Sequence, residues 1–258
     1  MSAMLELVAL EKIPDCAPGD DLLGMIVDAL AKQSLTLRDG DVLVVAQKVV
    51  SKVEGRYVTL ASVSPSSKAL ELAEATGKDP RLVELILRES TEVLRIRPGV
   101  IVVEHRNGYV HANAGIDQSN IPQEDSQPQV LLLPEDSNRS AALLKRGLMQ
   151  HSKATVGVVI SDSAGRAWRN GTIGLALGSA GITVLQNRNG EADMYGRTLQ
   201  ATEIAIADQI AAAATLLMGE AAERLPVVVV RGGNFLAAVD DDRGCEVLIR
   251  DKTRDMFR

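Results

Sequence analysis

Three short runs of aliphatic residues constrain the fold of this chain more than any other feature. They are VLVV (42–45), VGVVISDS (156–163) and VVVVRGG (227–233), and the second has an acidic residue, Asp162, next to its end. Continuous apolar runs of this length, without polar alternation, are typical of strands that are buried on both faces of a sheet. Helical segments alternate with them without a regular period, which disfavours solenoids and propellers. A mixed-sheet α/β or α+β protein remains.

The composition narrows both the core and the partners. The chain of 258 residues is 46% apolar but only 2% aromatic, so its core must be built from Val, Leu, Ile and Ala. This length suits one large module or two interlocked lobes. A formal net charge of −6 argues against nucleic acid as a partner, because nucleic-acid-binding proteins usually carry a basic face.

The cysteines and the N-terminus bear on the compartment. Cys16 and Cys245 are far apart and form no CxxC pattern, so neither a disulfide framework nor a thiolate zinc site is expected. The N-terminus lacks the basic, apolar and small-residue series of an export signal, and no apolar run approaches the roughly 20 residues that span a bilayer. We therefore expect a cytoplasmic protein with no membrane partner.

Local signals mark where the helices begin and end. Asp21 precedes an apolar periodic segment, and Gly219 follows the last residue of an Ala-rich one. A further pair, Asn107 and Gly108, is a strong hairpin signal. The sequence predicts five helices. The second is capped by Ser64, has Pro65 as its first residue and ends at Gly77, and the third runs from Asp79 to about Ser90. The others span 22–33, 138–150 and 203–218. The segment Ile121 to Pro128 is predicted to be a flexible surface loop.

Several common catalytic signatures are missing. The three histidines, His105, His111 and His151, form no HxxxH or HExxH pattern. There is also no GxSxG elbow, no GxxxxGK(S/T) phosphate loop and no GxGxxG sequence after a strand. For His111 alone, the interpretation is a hairpin side chain that faces solvent or packs.

Oxygen-bearing side chains occur where strands and helices end. Asp117 lies in a Gly-Ile-Asp turn, Asp162 and Ser163 end an apolar run, and Glu220 follows the glycine that closes a helix. Carboxylate and hydroxyl oxygens are the ligands that Mg²⁺ and Mn²⁺ prefer. Each acid alone is more often a turn former or a helix cap. Only their combination favours a metal site.

Two arginine-bearing segments carry positive charge. Arg166 and Arg169 follow Asp162 in the stretch GRAWR, and Arg197 lies in DMYGR, while Lys52 adds a further cation. Guanidinium groups suit phosphate or carboxylate. The alternative for the first pair is a local salt bridge with Asp162 itself.

Taken together, nine segments resemble one family over nearly the whole chain. They are GDDL, DGDVLVVAQKVVSKVEGR, DPRLVELILRES, NAGIDQSN, LLLPEDSNRSA, GVVISDSAGRAWRNG, DMYGR, ADQIAAAATLLMGEA and PVVVVRG. In this order and spacing they resemble the coenzyme F420:L-glutamate ligases. The resemblance implies an α+β fold with mixed β-sheets and flanking helices, two interlocked lobes in a single module over 1–258, and an intertwined homodimer. The additional C-terminal flavin-binding domain of some members is not expected here.

The resemblance also implies roles for individual residues. Asp117 and Asp162 would bind one divalent cation, Mg²⁺ or Mn²⁺, and Ser163 and Glu220 would help hold a second. Ser163 stands where the family often has Thr, which preserves the hydroxyl. The residues implied to contact the guanine nucleotide are Ile13, Pro14, Asp15, Cys16, Gln47, Lys48, Lys52, Asn120, Met218 and Gly219. Family members more often have an apolar residue at Asp15 or Cys16, so the contacts there are expected to run through the backbone.

The activity implied by the resemblance is formation of a carbon–nitrogen bond that consumes GTP. L-Glutamate would be joined to coenzyme F420-0 through an acyl phosphate, with Asp117, Asp162, Arg166 and Arg169 as catalytic candidates. Arg166, Arg169 and Arg197 are candidates for holding anionic groups of the substrates. Whether K⁺ assists is left open. Two rival interpretations are a kinase-like phosphotransferase and a nucleotide-binding regulator without catalysis.

Overall fold

The computed structural model describes residues 4–122, 127–238 and 243–256. Within them the strands are β1 (Glu6–Ala9), β2 (Val42–Ala46), β3 (Tyr57–Thr59), β4 (Ser90–Arg97), β5 (Val100–His105), β6 (Val110–Ala112), β7 (Gln129–Leu131), β8 (Gly157–Arg166), β9 (Arg169–Ala180), β10 (Leu185–Asn187), β11 (Glu203–Ala205) and β12 (Val227–Arg231). The α-helices are α1 (Leu22–Lys32), α2 (Gln47–Val53), α3 (Ser67–Thr76), α4 (Pro80–Arg88), α5 (Ser137–Ser152) and α6 (Ile206–Met218).

A five-stranded mixed sheet lies at the centre, in the order β1-β12-β2-β8-β9. The three aliphatic runs are its three adjacent inner strands, as the sequence predicts for strands buried on both faces. Only β2 and β8 run parallel, and the other neighbours in this sheet are antiparallel. The fold is therefore α+β, with mixed sheets and flanking helices.

The alternation of side chains along the inner strands explains why both faces are apolar. Leu43, Val45 and Val158 point to one face, where they pack with α1 and α5. Val42 and Val44 point to the other face, where they pack with the alanine-rich side of α6. Because helices cover both faces, consecutive residues are all buried and no polar alternation survives.

A separate hydrophobic cluster forms around α3, α4 and the three-stranded antiparallel sheet β4-β5-β6. Two small antiparallel pairs, β3-β7 and β10-β11, complete the strands of the described residues. The predicted hairpin turn at Asn107 and Gly108 joins β5 to β6 and is confirmed. The β6 end of this sheet approaches β8 of the central sheet.

Several helix ends are confirmed and two are wrong. Asp21 caps α1 and Asp79 caps α4, and Gly77 ends α3 in the left-handed conformation. The cap of α3 is Ser66, whose Oγ accepts from the amide of Ala69 at 3.2 Å, so the helix begins after the predicted Ser64 and Pro65. Residues 203–205 are not helical, because they pair with β10 as strand β11.

The long strand β9 is absent from the predictions because its glycines mask the apolar pattern. A Cβ at Gly174 would lie 2.5 Å from the carbonyl oxygen of Ala211, and one at Gly178 would lie 2.2 Å from the carbonyl carbon of Ser137. These glycines allow α6 and α5 to approach the strand closely.

Two further predictions concern the surface. Of the predicted loop from Ile121 to Pro128, residues 123–126 lie outside the described residues. None of the helices in the described part of the chain has the length and apolar character needed to cross a membrane.

Candidate active site

A cavity of about 690 Å³ opens where the parallel strands β2 and β8 end. In open sheets, ligands commonly bind beyond the carboxyl ends of parallel strands, where the connections diverge. The cavity is walled by the loop before α1, the first turns of α2, the segment after β6 and the segment after α6. Every residue predicted to contact nucleotide or metal lines it: Ile13, Pro14, Asp15, Cys16, Gln47, Lys48, Lys52, Asn120, Met218, Gly219, Asp117, Asp162, Ser163 and Glu220.

Two carboxylates share one amide donor at the end of the cavity. The Nε2 of Gln47 lies 2.7 Å from Oδ2 of Asp117 and 3.5 Å from Oδ1 of Asp162. Gln47 is buried at the start of α2, and its Oε1 accepts a 3.0 Å hydrogen bond from Ser51 one turn later. The helix therefore fixes the amide so that its donor group faces both acids.

The backbone holds Asp117 in place. Its amide and carbonyl exchange two 2.9 Å hydrogen bonds with Leu131. The preceding turn is tight, since Asn113, Ala114 and Gly115 all have positive φ. A Cβ at Gly115 would lie 2.7 Å from the Cδ1 of Leu133, so only glycine fits this turn without a shift.

The environment of Asp117 disfavours its negative charge. Burial and the nearby charge of Asp162 raise the pKa of Asp117, although Lys48 and Gln47 act in the opposite direction. The Nζ of Lys48 lies 3.3 Å from Oδ1 of Asp117 and donates to the carbonyl of Ser119 at 3.1 Å. Two close, half-buried carboxylates attract a cation.

Asp162 lies just past the part of β8 that pairs with β2. Strand β8 pairs with β2 up to the Ala46–Ser161 pair, and beyond it only with β9. The Oδ2 of Asp162 lies 3.1 Å from the Nε2 of His111. Burial alone would lower the pKa of His111, but the hydrogen bond and charge of Asp162 outweigh it and raise the pKa.

The contact of His111 is the main feature of the site that the sequence does not predict. His111 is 9% exposed and lies between two exposed neighbours, Val110 and Ala112, on a three-residue strand. The interpretation of His111 as a side chain that faces solvent is therefore wrong. The alternative, that its side chain packs, leaves out its bond to Asp162. Only the alternation of a short strand could have hinted that it points inward.

Ser163 and Glu220 form a second pair of side chains whose oxygen atoms could bind a metal ion. The Oγ of Ser163 donates to Oε2 of Glu220 at 2.8 Å, and the Oγ1 of Thr172 lies 3.3 Å from Oε1 of the same residue. Within residues 4–122, 127–238 and 243–256, no three His, Cys, Asp or Glu side chains converge as a metal-binding group. These donors fit Mg²⁺ or Mn²⁺ nonetheless, since such ions commonly take one or two carboxylates and complete their shell with phosphate and water.

Comparison with known proteins identifies the family. Residues 11–232 match the family described as F420-0:gamma-glutamyl ligase. This chain belongs to that family.

Similar proteins span nearly the same length. The coenzyme F420:L-glutamate ligase of Methanothermobacter thermautotrophicus is 42% identical over 254 residues, covering 98% of this chain and 99% of that protein. The enzyme of the same name from Methanopyrus kandleri is 44% identical over 255 residues, covering 98% and 97%. That from Archaeoglobus fulgidus is 39% identical over 254 residues, covering 98% and 96%.

Positive charge in the cavity of this family member comes from lysines on α2 and from one unpredicted arginine. Lys48 and Lys52 are one turn apart and both line the cavity. Arg224 lies in the segment after α6, with φ of 57°, and its Nη2 is 3.9 Å from Oδ2 of Asp15. No motif in the sequence marks Arg224.

The predicted arginines lie elsewhere. Arg166 and Arg169 are exposed on the projecting β8–β9 hairpin, and Arg197 is exposed in the turn that begins at Asp193; none of the three lines the cavity. An extended strand rises about 3.3 Å per residue, which places Arg166 roughly 13 Å along the chain from Asp162. Arg166 donates to the carbonyl of Gly171 across the hairpin at 3.1 Å. Their catalytic and substrate-binding roles stay predictions.

Proposed function

We propose that this protein joins L-glutamate to coenzyme F420-0 through an amide bond, with GTP as the co-substrate, in coenzyme F420 biosynthesis. The names of the family and of its relatives supply glutamate and F420 as the compounds involved. The observation that carries the nucleotide and metal parts is that one cavity collects all the carboxylates, hydroxyl and lysines expected to serve them.

The chemistry requires activation of a carboxylate. A free carboxylate does not form an amide in water without a better leaving group. In the proposed reaction, a carboxylate oxygen of F420-0 attacks the γ-phosphorus of GTP, and GDP leaves. The amine of L-glutamate then attacks the acyl carbon, the acyl–oxygen bond breaks, and inorganic phosphate leaves. The product is F420-1, and repeated cycles would lengthen the γ-glutamyl tail.

The residues of the cavity divide into two proposed roles. Asp117 and Asp162 would hold one divalent cation, and Ser163 and Glu220 would help hold a second, each Mg²⁺ or Mn²⁺. When bound, such cations neutralise charge on phosphate oxygens during phosphoryl transfer. Lys48 and Lys52, on one side of α2, would contact the phosphates of GTP. Whether the reaction requires K⁺ can be tested by replacing K⁺ with another monovalent cation in the ligase assay.

Direct capture of the acyl phosphate needs no nucleophile from the protein. The thiol that lines the cavity belongs to Cys16, and burial raises its pKa. The thiol is therefore protonated at neutral pH and is a poor nucleophile. This supports transfer through a small-molecule intermediate over a covalent enzyme intermediate.

We also propose a two-lobed subunit that forms an intertwined homodimer. Two of the few aromatic side chains, Trp168 on the β8–β9 hairpin and Tyr195 in the turn after β10, are 86% and 79% exposed, and Met194 beside Tyr195 is 86% exposed. Large apolar side chains in such positions favour a protein partner. Light scattering should give twice the mass of the chain, and a monomer at micromolar concentration would contradict the dimer.

The function is tested by incubating the protein with GTP, Mg²⁺ or Mn²⁺, L-glutamate and F420-0. Mass spectrometry should show a deazaflavin that is heavier by one or more glutamyl units, together with GDP and phosphate. ATP should serve poorly. Omission of glutamate is the sharpest control, because the ligase then gives little net product, whereas a kinase would be indifferent. GDP release without glutamylated product would favour the kinase-like rival, and GTP binding without turnover would favour the regulator.

A further inference from the structure

We propose that His111 is a positioning residue that holds Asp162 in the orientation needed to bind a divalent cation. This inference rests on the proposed metal role of Asp162. It assigns a task to a buried histidine outside the set of residues predicted for the site.

The backbone of His111 is anchored before its side chain is considered. Strand β6 pairs with β5 in antiparallel register, with His111 opposite Val103. The ring is nearly enclosed and lines the cavity. A histidine on a paired strand with a buried ring has few alternative rotamers, so it offers a fixed point against which a neighbouring side chain can be held.

The two ring nitrogens have separate partners. Nδ1 lies 3.1 Å from the carbonyl oxygen of Ala112, and a carbonyl can only accept, so Nδ1 is the donor there. This bond turns the ring so that Nε2 faces Oδ2 of Asp162 at 3.1 Å. A second partner that orients the ring in this way is the usual feature of residues that support metal ligands.

Asp162 depends on this bond more than Asp117 depends on any single partner. Asp117 has Gln47 at 2.7 Å, Lys48 at 3.3 Å and two backbone bonds to Leu131. Asp162 has the same Gln47 amide only at 3.5 Å, and it lies beyond the last pair that links β8 to β2. Of the contacts that Gln47 and His111 make with the carboxylate of Asp162, the one from His111 is therefore the shorter.

Two opposing effects of His111 can be separated by experiment. A positively charged ring beside Asp162 would repel a cation, so removing the ring would tighten binding. A positioning ring would hold the carboxylate ready, so removing it would weaken binding. The second effect is the one proposed, because ordering of a ligand side chain by a neighbour typically contributes 10- to 100-fold in metal affinity.

The test measures Mn²⁺ binding directly, by electron paramagnetic resonance of the free ion in a titration without substrates. His111→Leu removes the donor, whereas His111→Gln can still present an N–H to Asp162. His105→Leu is the matched control, since His105 is also buried, lies on the neighbouring strand β5 and does not line the cavity. Circular dichroism checks that each variant is folded.

We expect His111→Leu to weaken Mn²⁺ binding by about 10- to 100-fold, His111→Gln to recover most of the loss, and His105→Leu to bind like the wild type. In turnover assays, the His111→Leu loss should diminish as Mn²⁺ is raised, because the defect is in metal binding. Equal or tighter binding by folded His111→Leu would overturn the positioning role.

A second measurement covers the case in which His111→Leu does not fold. Nitrogen-15 NMR of the histidine rings should show that the Nε2 signal of His111 shifts in Asp162→Asn, because its partner changes. An unchanged signal would overturn the proposal. Failure of the wild type itself to bind Mn²⁺ would overturn the proposed metal site and the positioning role together. If the wild type binds Mn²⁺ and His111→Leu binds it equally well, only the positioning role is overturned.

Discussion

Two histidines on the neighbouring strands β5 and β6, His105 and His111, each face a carboxylate, and the surroundings of the two pairs differ. In the first, Glu89 caps the C-terminus of α4 and is almost fully buried. Its Oε2 lies 3.1 Å from Nη2 of Arg56, 3.4 Å from Nη2 of Arg106 and 3.7 Å from Nε2 of His105. Burial would raise the pKa of Glu89, but His105 and the two guanidinium groups outweigh burial and lower it.

The second pair, Asp162 with His111, lies beside another carboxylate. Asp117 is half-buried near Asp162, and the balance of burial, that charge and Lys48 leaves the pKa of Asp117 raised. The negative charge of Glu89 is thus balanced by positively charged neighbours within the fold, while that of Asp117 is balanced only in part. The first arrangement suits a structural link between the α4 region and the segments that follow α2 and β5. The second suits a site that accepts a cation.

The largest expected effect is on turnover. Asp117→Asn and Asp162→Asn keep the side-chain shape but remove the charge that would hold the metal, so we expect the rate to fall by about a thousandfold or more. The product assay with F420-0, GTP and glutamate measures this. Near wild-type rates at saturating Mg²⁺ or Mn²⁺ would refute the role of the two acids.

Asp117→Asn also bears on stability. Because the pKa of Asp117 is raised in the folded protein, its ionised form disfavours folding at neutral pH. Asp117→Asn should therefore not lower the melting temperature. A marked loss of stability in this variant would place Asp117 in the structural class with Glu89.

The next effect concerns Glu89. Glu89→Gln leaves the half-buried guanidinium of Arg56 and the exposed one of Arg106 without their carboxylate, and losing a hydrogen bond to a charged group costs about 2 kcal/mol. Urea unfolding followed by circular dichroism should show this loss, while the affinity for GTP stays close to that of the wild type. A loss of GTP affinity with unchanged stability would contradict the structural role assigned to Glu89.

The pH dependence of this difference has a definite sign. The folded-state pKa of Glu89 lies below its ordinary value of 4.5, so its stabilising contribution is complete above that value and is lost as the pH falls through the folded-state pKa. The difference in unfolding free energy between the wild type and Glu89→Gln should therefore shrink under acidic conditions. A difference that stayed constant on acidification would show that the charge of Glu89 is not its source.

The smallest effect separates the lysines of the cavity from the arginines of the hairpin. Lys52→Gln should raise the KM for GTP by about tenfold, as expected for one charged contact of about 1.4 kcal/mol. Arg169→Gln is the matched control for nucleotide binding, because Arg169 does not line the cavity. An equal rise in KM from Arg169→Gln would indicate that the hairpin reaches the nucleotide in the working enzyme.

Much of the central fold could be predicted from the sequence because the signals there are local. The aliphatic runs predict buried strands, and Asp21, Asp79 and Gly77 mark helix ends through their own side-chain or backbone chemistry. Strand β9 is not predicted because its glycines allow contacts with α5 and α6, which are distant in sequence. Residues 203–205 escape because their conformation is set by pairing with β10.

The candidate site shows the same division. Residues carried by sequence motifs, such as Asp117 in NAGID and Asp162 in SDS, lie together in the cavity. Arg166 follows Asp162 closely in the sequence, yet an extended strand separates them in space. Conversely, His111 is far from Asp162 in sequence and reaches it only because β6 lies beside β8. Proximity along the chain predicts proximity in space poorly when the backbone is extended.

The exposed tip of the β8–β9 hairpin has a practical consequence for optical experiments. Trp168 is the single tryptophan of the chain, and it lies at this tip, 86% exposed. Intrinsic fluorescence excited at the indole band therefore reports on the hairpin and hardly on the hydrophobic core. Its emission should already resemble that of indole in water in an isolated folded chain, and a blue shift that depends on protein concentration would report the covering of the hairpin by a second copy.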